Sequence, residues 1–294
     1  MEFDIQKDLA IKRRMIEQAL QDNLPGGEQV PAVLADALRY AAMGGGKRLR
    51  PALCLAAAQA LGHDQQQVLP AACGVEFAHT SSLLLDDLPC MDDHATRRGK
   101  ATTHKVFGES NAILAAMSAL SHGFELVALN ARQLQAPADA ILAAINELGQ
   151  AVGAAGLCGG QQLDLVSQTE EVDLNTLQQI HRQKTGLLFV AAVAIPALLL
   201  GAEEQIVDAL RSYARRLGQA FQISDDIIDV AEDRAFEAPV RHLSGGNLAG
   251  MLGIPAARGL VNDLIASAKE DVEPLGEAGR TLIELAELIR ARND

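Results

Sequence analysis

From residue 5 to residue 20 the apolar positions Leu9, Met15, Ile16, Ala19 and Leu20 recur at helical spacing. Leu24-Pro25-Gly26-Gly27 ends that helix. The same periodicity predicts helices over residues 31–43, 52–61, 68–85, 112–129, 137–157, 174–200, 206–230, 255–271 and 275–291. Gly44-Gly45-Gly46, Gly62-His63-Asp64 and Ser244-Gly245-Gly246-Asn247 read as turns between them. The longest apolar run, 187–200, contains Pro196 and falls short of the ~20 residues a membrane span needs, so it reads as a core helix. No repeat and no linker divides the chain. The pattern predicts roughly ten to twelve helices in a single domain over residues 1–294.

Composition agrees with the pattern. Ala and Leu abound, aromatics are 3% and hydrophobic residues 49%, which favours an all-α protein with a sizeable core. The net charge of −13 argues against nucleic acid as the main partner, because phosphate backbones call for a basic face. Cys54, Cys73, Cys90 and Cys158 show no metal-type pairing and read as reduced, buried thiols of a cytoplasmic protein. Met1-Glu2-Phe3-Asp4 leads directly into the first helix, with no signal-peptide pattern.

Charge placement changes the picture more than charge total. Asp86, Asp87, Asp92 and Asp93 follow Leu83-Leu84-Leu85 at the end of a predicted helix, where the dipole disfavours carboxylates. A second cluster, Asp225, Asp226 and Asp229, lies among Phe221, Ile223, Ile227 and Ile228, with Asp225 and Asp229 one helical turn apart. Bunched carboxylates beside apolar runs need a positive partner, and a divalent cation supplies one economically. Cations accompany the acids. Lys47, Arg48 and Arg50 sit at a predicted helix start, where an anion is expected between them and the helix end. Arg97 and Arg98 closely follow the first cluster, and Lys184 heads the longest apolar run beside Thr185. Gln161 and Asp164 after Gly159-Gly160 form either an inward polar pair or a cap.

Oxygen-only ligands point to magnesium rather than zinc. The substrate class is then a phosphate or diphosphate with an apolar remainder. Metal and arginine would stabilise a departing diphosphate, and an allylic carbon left behind would form a stabilised cation.

The motifs Gly45-Gly46-Lys47-Arg48-Leu49-Arg50-Pro51, Asp86-Asp87-Leu88-Pro89-Cys90-Met91-Asp92-Asp93 with Arg97-Arg98-Gly99, Gly159-Gly160-Gln161, His181 through Lys184-Thr185-Gly186, and Phe221-Gln222 with Asp225-Asp226-Ile227-Ile228-Asp229 occur in that order. The chain thereby resembles the trans-isoprenyl diphosphate synthases, the family of bacterial farnesyl and geranylgeranyl diphosphate synthases. The resemblance implies a single helical bundle around a deep central cavity. It implies that Asp86, Asp92, Asp225 and Asp229 hold several magnesium ions, supported by Asp87 and Asp226. Arg97 and Lys184 would contact the allylic diphosphate, Lys47, Arg50, His79 and Arg98 would hold isopentenyl diphosphate, and Thr185 and Gln222 would line the reacting carbons. Catalysis would then rest on Lys184, Thr185, Gln222 and Arg97, and a homodimer is expected.

By the same resemblance, the small side chains Thr80, Ser81 and Ser82 would floor the product cavity and favour a twenty-carbon over a fifteen-carbon product. Three departures stand out. Residues 232–248 contain no lysine, and Arg234 and Arg241 are their only formal cations. Met117 replaces a usual aspartate, and Leu85 replaces a frequent histidine. The missing lysines raise the alternative of a partner-dependent or regulatory subunit. A terpene cyclase is the third reading, and the absence of tryptophan counts against its aromatic-lined cavity.

Overall fold

The structure, a computed structural model, describes residues 3–170, 172–235 and 247–293. The first half of the chain carries α1 (Ile5–Asp22), α2 (Ala32–Ala42), α3 (Leu49–Ala60), α4 (Leu69–Asp86), α5 (Thr103–Phe107), α6 (Glu109–Gln133) and α7 (Ala138–Val152). The second carries α8 (Leu157–Ser167), α9 (Leu174–Ile180), α10 (Leu187–Leu199), α11 (Glu204–Ala235), α12 (Leu248–Leu252), α13 (Ile254–Val272) and α14 (Arg280–Arg290). The fourteen α-helices among the described residues exceed the expected ten to twelve, because α5 and α12 are too short for periodicity to register and two predicted helices are each split in two. A two-stranded hairpin, β1 (Thr96–Arg97) and β2 (Lys100–Ala101), was not expected either.

Two predicted helices are interrupted. The stretch expected over 137–157 stops at Val152, and α8 starts only at Leu157. Gly153 and Gly156 lie so close to preceding carbonyls that a Cβ would fall 2.7 and 2.3 Å from them. The stretch expected over 174–200 is α-helical at both ends but a π-helix over His181–Gly186. Pro196 does not end α10, which runs through it to Leu199.

The core is alanine-rich, and small side chains bring helices close. α4 packs along α6, and at their crossing Gly74 and Gly123 touch backbone to backbone. A Cβ on Gly74 would lie 2.6 Å from the Gly123 carbonyl oxygen, and one on Gly123 would lie 2.7 Å from that of Gly74. α10 is buried almost all round and packs against α3, α7 and α11. α1 is tied in through Lys12, whose buried Nζ donates to Asp8 and to Gln59 of α3.

Four helical stretches are long and apolar enough to cross a membrane by length and composition: Gln65–Asp86, Glu109–Gln133, Ala138–Ser167 and Leu174–Leu199. The expectation that no stretch reaches that length fails because the apolar run 187–200 continues helically back to Leu174. The first and last of the four have 72% of their apolar window packed inside the protein. The other two, containing α6 and α7, have only 39% and 22% inside, and Leu114, Met117, Leu129 and Leu142 lie exposed on them. Cysteine burial also differs from expectation. Cys54 and Cys73 are buried, whereas Cys90 and Cys158 are exposed, one in the loop after α4 and one in the first turn of α8.

Candidate active site

A single cleft of about 1130 Å³ gathers residues from both halves of the chain. Asp86 and Asp92 line it from α4 and the following loop, and Asp225 and Asp229 line it from α11. Lys47, Arg50, His79, Arg97, Arg98, Lys184, Thr185, Gln222 and Ser82 line it too. Residues distant in sequence, from Arg13 to Asp229, therefore converge because α3, α4, the π-helix and α11 surround one space.

The first acid cluster is built by a helix end that folds back. α4 stops at Asp86, and the Asp92 backbone N–H donates to the Asp86 carbonyl at 3.0 Å. Asp92 lines the cleft, and Gln168, just past the end of α8, donates to it at 3.4 Å. Burial pushes the Asp86 carboxyl up to about 6; Lys184 pulls it back, and Asp92 adds to the rise. A buried carboxylate at a helix C-terminus, beside another carboxylate, gains from added positive charge.

Asp87 and Asp226 take different places. Asp87 is bound by Arg97, whose Nε donates to both its oxygens at 2.8 and 3.0 Å. It lines a separate smaller cavity rather than the main cleft. Asp226 is buried against the protein: the Leu248 backbone N–H donates to Oδ2 at 2.8 Å, and His181 Nε2 lies 3.4 Å from that oxygen. Burial raises its carboxyl to about 7. Asp87 positions Arg97, and Asp226 ties α11 to α12 and to the π-helix. As direct cation ligands they are turned away, because neighbouring residues in the helix point to different faces.

The π-helix places the cationic side of the site. Gly160 of α8 packs directly on it, with a Cβ there 2.3 Å from the Lys184 backbone nitrogen. Lys184 Nζ donates to Asp164 at 2.5 Å, so Asp164 is the inward partner that the sequence left open against a capping role. Burial opposes the Lys184 charge, but the Asp164 carboxylate more than restores it and the ammonium is held above its ordinary value. Thr185 Oγ1 donates to Gln222 at 2.9 Å, linking the π-helix to α11. Single π turns inside α-helices occur frequently at functional sites.

The second cationic group separates by role. Arg48, in the left-handed region at φ 52°, is buried and fully engaged. It donates to Glu17, to Glu76 and to the Ala42 carbonyl, and so fixes the entry to α3. Arg50 instead leaves Nε buried without a partner, and its Nη1 lies 3.3 Å from His79 Nε2. Burial lowers Arg50 to about 10, still charged at neutral pH. Burial, with Arg50 next to it, holds the His79 ring well below its ordinary value and therefore neutral. Arg98 lies against the Gly45-Gly46 turn and donates to the Gly45 carbonyl, and Gly46 has no room for a Cβ beside that guanidinium. Lys47 is exposed at the rim.

The proposed cavity floor is divided. Ser82 lines the main cleft, Thr80 lines the smaller cavity, and Ser81 is buried and borders neither. Residues 232–246 of the lysine-free stretch, with Arg234, Arg241 and Gly245, lie outside the residues whose side chains are described. Sequence reasoning missed Arg292, which lines no motif but donates to Asp225 at 2.5 Å.

The donor set fits a hard divalent cation shared with substrate. Among the described residues no three His, Cys, Asp or Glu side chains form a closed metal-binding group. Magnesium commonly takes one or two carboxylates, keeps waters, and completes its shell with substrate phosphate oxygens. Asp86 with Asp92, and Asp225 with Asp229, are carboxylate pairs that line the cleft.

The comparisons agree with this geometry. The polyprenyl synthetase family model matches residues 31–237. The chain is 41% identical to a dimethylallyltranstransferase of Fischerella ambigua (strain UTEX 1903), over 99% of this chain and 84% of that protein. It is 36% identical to a geranylgeranyl diphosphate synthase of Cyanophora paradoxa, over 99% and 98% of the two chains. The crystal structure of an FPP/GFPP synthase from Zymomonas mobilis superposes with a TM-score of 0.88 at 32% identity, covering 97% of this chain and 98% of that one. With its motifs in order, its helices superposing and its acids and cations in one cleft, the chain belongs to the polyprenyl synthetase family.

Proposed function

We propose that this protein is a trans-prenyltransferase that joins isopentenyl diphosphate to an allylic diphosphate and forms geranylgeranyl diphosphate in preference to farnesyl diphosphate. The observation that carries the reading is the cleft itself: it is lined by two carboxylate pairs, Asp86 with Asp92 and Asp225 with Asp229, together with Arg97, Lys184 and a further set of cations, Lys47, Arg50 and Arg98. That layout accommodates two diphosphates. When bound, magnesium supplies positive charge to the leaving diphosphate oxygens. Arg97, fixed by Asp87, and Lys184, fixed by Asp164, donate to the same group. Thr185 and Gln222 form a polar wall beside the reacting carbons. Neutral His79 and charged Arg50 hold the second diphosphate.

The preference for twenty carbons rests on small Thr80, Ser81 and Ser82 along α4 and on the relatives that carry geranylgeranyl synthase names. A homodimer through the exposed apolar faces of α6 and α7 and a cytoplasmic location complete the reading. The lysine-free stretch after the second aspartate motif favours a second reading, a chain that needs a different partner subunit for full rate.

The test is incubation of the purified chain with isopentenyl diphosphate and dimethylallyl, geranyl or farnesyl diphosphate in turn, with magnesium or with excess chelator, followed by chromatography of the dephosphorylated products. The expected result is geranylgeraniol with magnesium and no condensation with chelator. A fifteen-carbon end product would overturn the chain-length preference. A hydrocarbon from geranylgeranyl diphosphate alone would overturn the reaction class. Activity only after addition of a second subunit would establish the alternative. Ser82→Tyr, at the one of these three positions that lines the main cleft, is expected to shift the product from twenty to fifteen carbons, and an unchanged product would remove Ser82 from the floor.

A further inference from the structure

Arg292 stands at the end of the C-terminal helical turn, 67 positions from Asp225 in sequence, and is engaged with it in the fold. Its guanidinium also lies 4.7 Å from the centroid of the Phe221 ring. Phe221 packs on Phe189 at 5.4 Å, and Arg50 lies 5.0 Å over Phe189. The C-terminal turn therefore touches an acid of the second cluster and one end of an aromatic pair whose other end meets the diphosphate-binding wall.

The quality of the contact separates Arg292 from a structural arginine. Arg48 has Nε, Nη1 and Nη2 all donating to carboxylates or a carbonyl. Arg292 donates from Nη2 to Asp225, while its Nη1 is buried without an acceptor. Such a donor costs free energy where it stands and gains from any anion that reaches it. Arg292 also lines a second cleft of about 530 Å³, which joins the main one along Lys47, Arg48, Leu49 and Phe221. Arg13 and Lys47 line both clefts, and neither makes an ion pair among the described residues. Asp225 is thus shared between an internal cation and the cleft where an external one is expected.

We propose that Arg292 is an exchangeable counter-ion of Asp225. It neutralises the carboxylate in the resting protein, and a divalent cation that takes Asp225 releases it toward Arg13 and Lys47. The C-terminal turn thereby sets the affinity of the second acid cluster for metal. Release leaves three cations without a carboxylate at the junction of the two clefts, so metal loading favours anion binding there. The inference rests on the proposed function only in taking Asp225 as a cation ligand.

The experiment is titration of the full-length protein with Mn2+ alone, the free ion being read by electron paramagnetic resonance. Wild type, Arg292→Ala, Arg292→Lys, Asp225→Asn and the Asp225→Asn/Arg292→Ala double variant are compared. Removing the competing charge is expected to tighten Mn2+ binding about two- to tenfold in Arg292→Ala, the range a partly screened charge contact supplies. Arg292→Lys should remain near wild type, and the gain should vanish when Asp225→Asn is also present. Unchanged or weaker binding in Arg292→Ala overturns the proposal, as does an equal gain in the Asp225→Asn background. Thermal melts without metal check folding; a variant that melts in a single transition and still shows no gain counts against the proposal. Condensation assays on wild type keep the two readings apart. Condensation without the Arg292 effect leaves the function standing and the counter-ion refuted. The Arg292 effect without condensation does the reverse.

Discussion

At the scale of single residues, charge in the site is set by partners rather than by residue type. Lys184 is a dependable cation because Asp164 holds it. Asp164→Asn is expected to lower kcat/KM for the allylic substrate roughly tenfold, the loss of one charged hydrogen bond. Steady-state kinetics with each substrate varied would check this; an effect confined to isopentenyl diphosphate would contradict it. His79 makes the opposite case. Burial and the Arg50 guanidinium disfavour its protonated form. The folded ring should stay neutral as pH falls through 6.5, where a free imidazole would gain its proton. An NMR titration of the His79 ring showing a midpoint at the ordinary value would contradict the assignment.

Legibility of the site was uneven at this scale, and the reasons are physical. Local clusters such as Asp86 with Asp92 are visible in sequence because a few residues of chain separate them. Which aspartate of each adjacent pair lines the cleft is implied only by the family resemblance and not by the residues themselves, since it depends on which side of α4 or α11 the neighbouring helices cover. The Arg97–Asp87 and Lys184–Asp164 pairs join residues 10 and 20 apart. Arg292 has no motif around it and finds Asp225 only because α14 packs against α11. Exposed Cys90 and Cys158 escaped the expectation of burial because cysteine composition says nothing about the loop and helix turn that carry them.

At the scale of elements, glycines decide how closely the site-bearing helices approach. Helix existence was readable from periodicity in α1, α3, α4, α6, α10, α11 and α13. The π-helix at His181–Gly186 was not, because its residues keep helical periodicity on either side and the extra backbone width shows only in hydrogen bonding. Gly160 backs this segment, and a methyl group there would meet Lys184 backbone at 2.3 Å. Gly160→Ala should therefore displace Lys184 and cut kcat at least tenfold while the protein stays folded. Gly123→Val at the α4–α6 crossing should instead act on stability. Overpacking against the Gly74 carbonyl is expected to cost about 2–3 kcal/mol. Denaturant unfolding would measure it, and a change below about 0.5 kcal/mol would show that the helices separate freely.

At the scale of the whole molecule, the unburied faces of α6 and α7 ask for cover. Leu114, Met117 and Leu142 are 52%, 64% and 67% exposed, which is unusual for large apolar side chains on adjacent long helices of one chain. Met117 lies on this exposed face and does not line the catalytic cleft. Met117→Glu combined with Leu142→Glu is expected to convert a dimer to a monomer in light scattering after size-exclusion chromatography. A wild-type protein that is already monomeric would contradict the dimer. The all-α class was legible from composition and pattern, because alanine- and leucine-rich amphipathic stretches leave few other ways to bury a core. How the two halves meet around one cleft was not, since that is fixed by contacts between helices distant in sequence.

The central claim is that the space between the two aspartate clusters is where the allylic diphosphate departs. It is tested most directly by the single-turnover condensation rate of labelled isopentenyl diphosphate with farnesyl diphosphate at saturating magnesium, in wild type, Asp86→Asn and Asp225→Asn. Each substitution removes one carboxylate from one of the two pairs that line the cleft. The account predicts that each slows condensation by about a hundredfold or more while the protein melts as before. Condensation at the wild-type rate in either variant would contradict it.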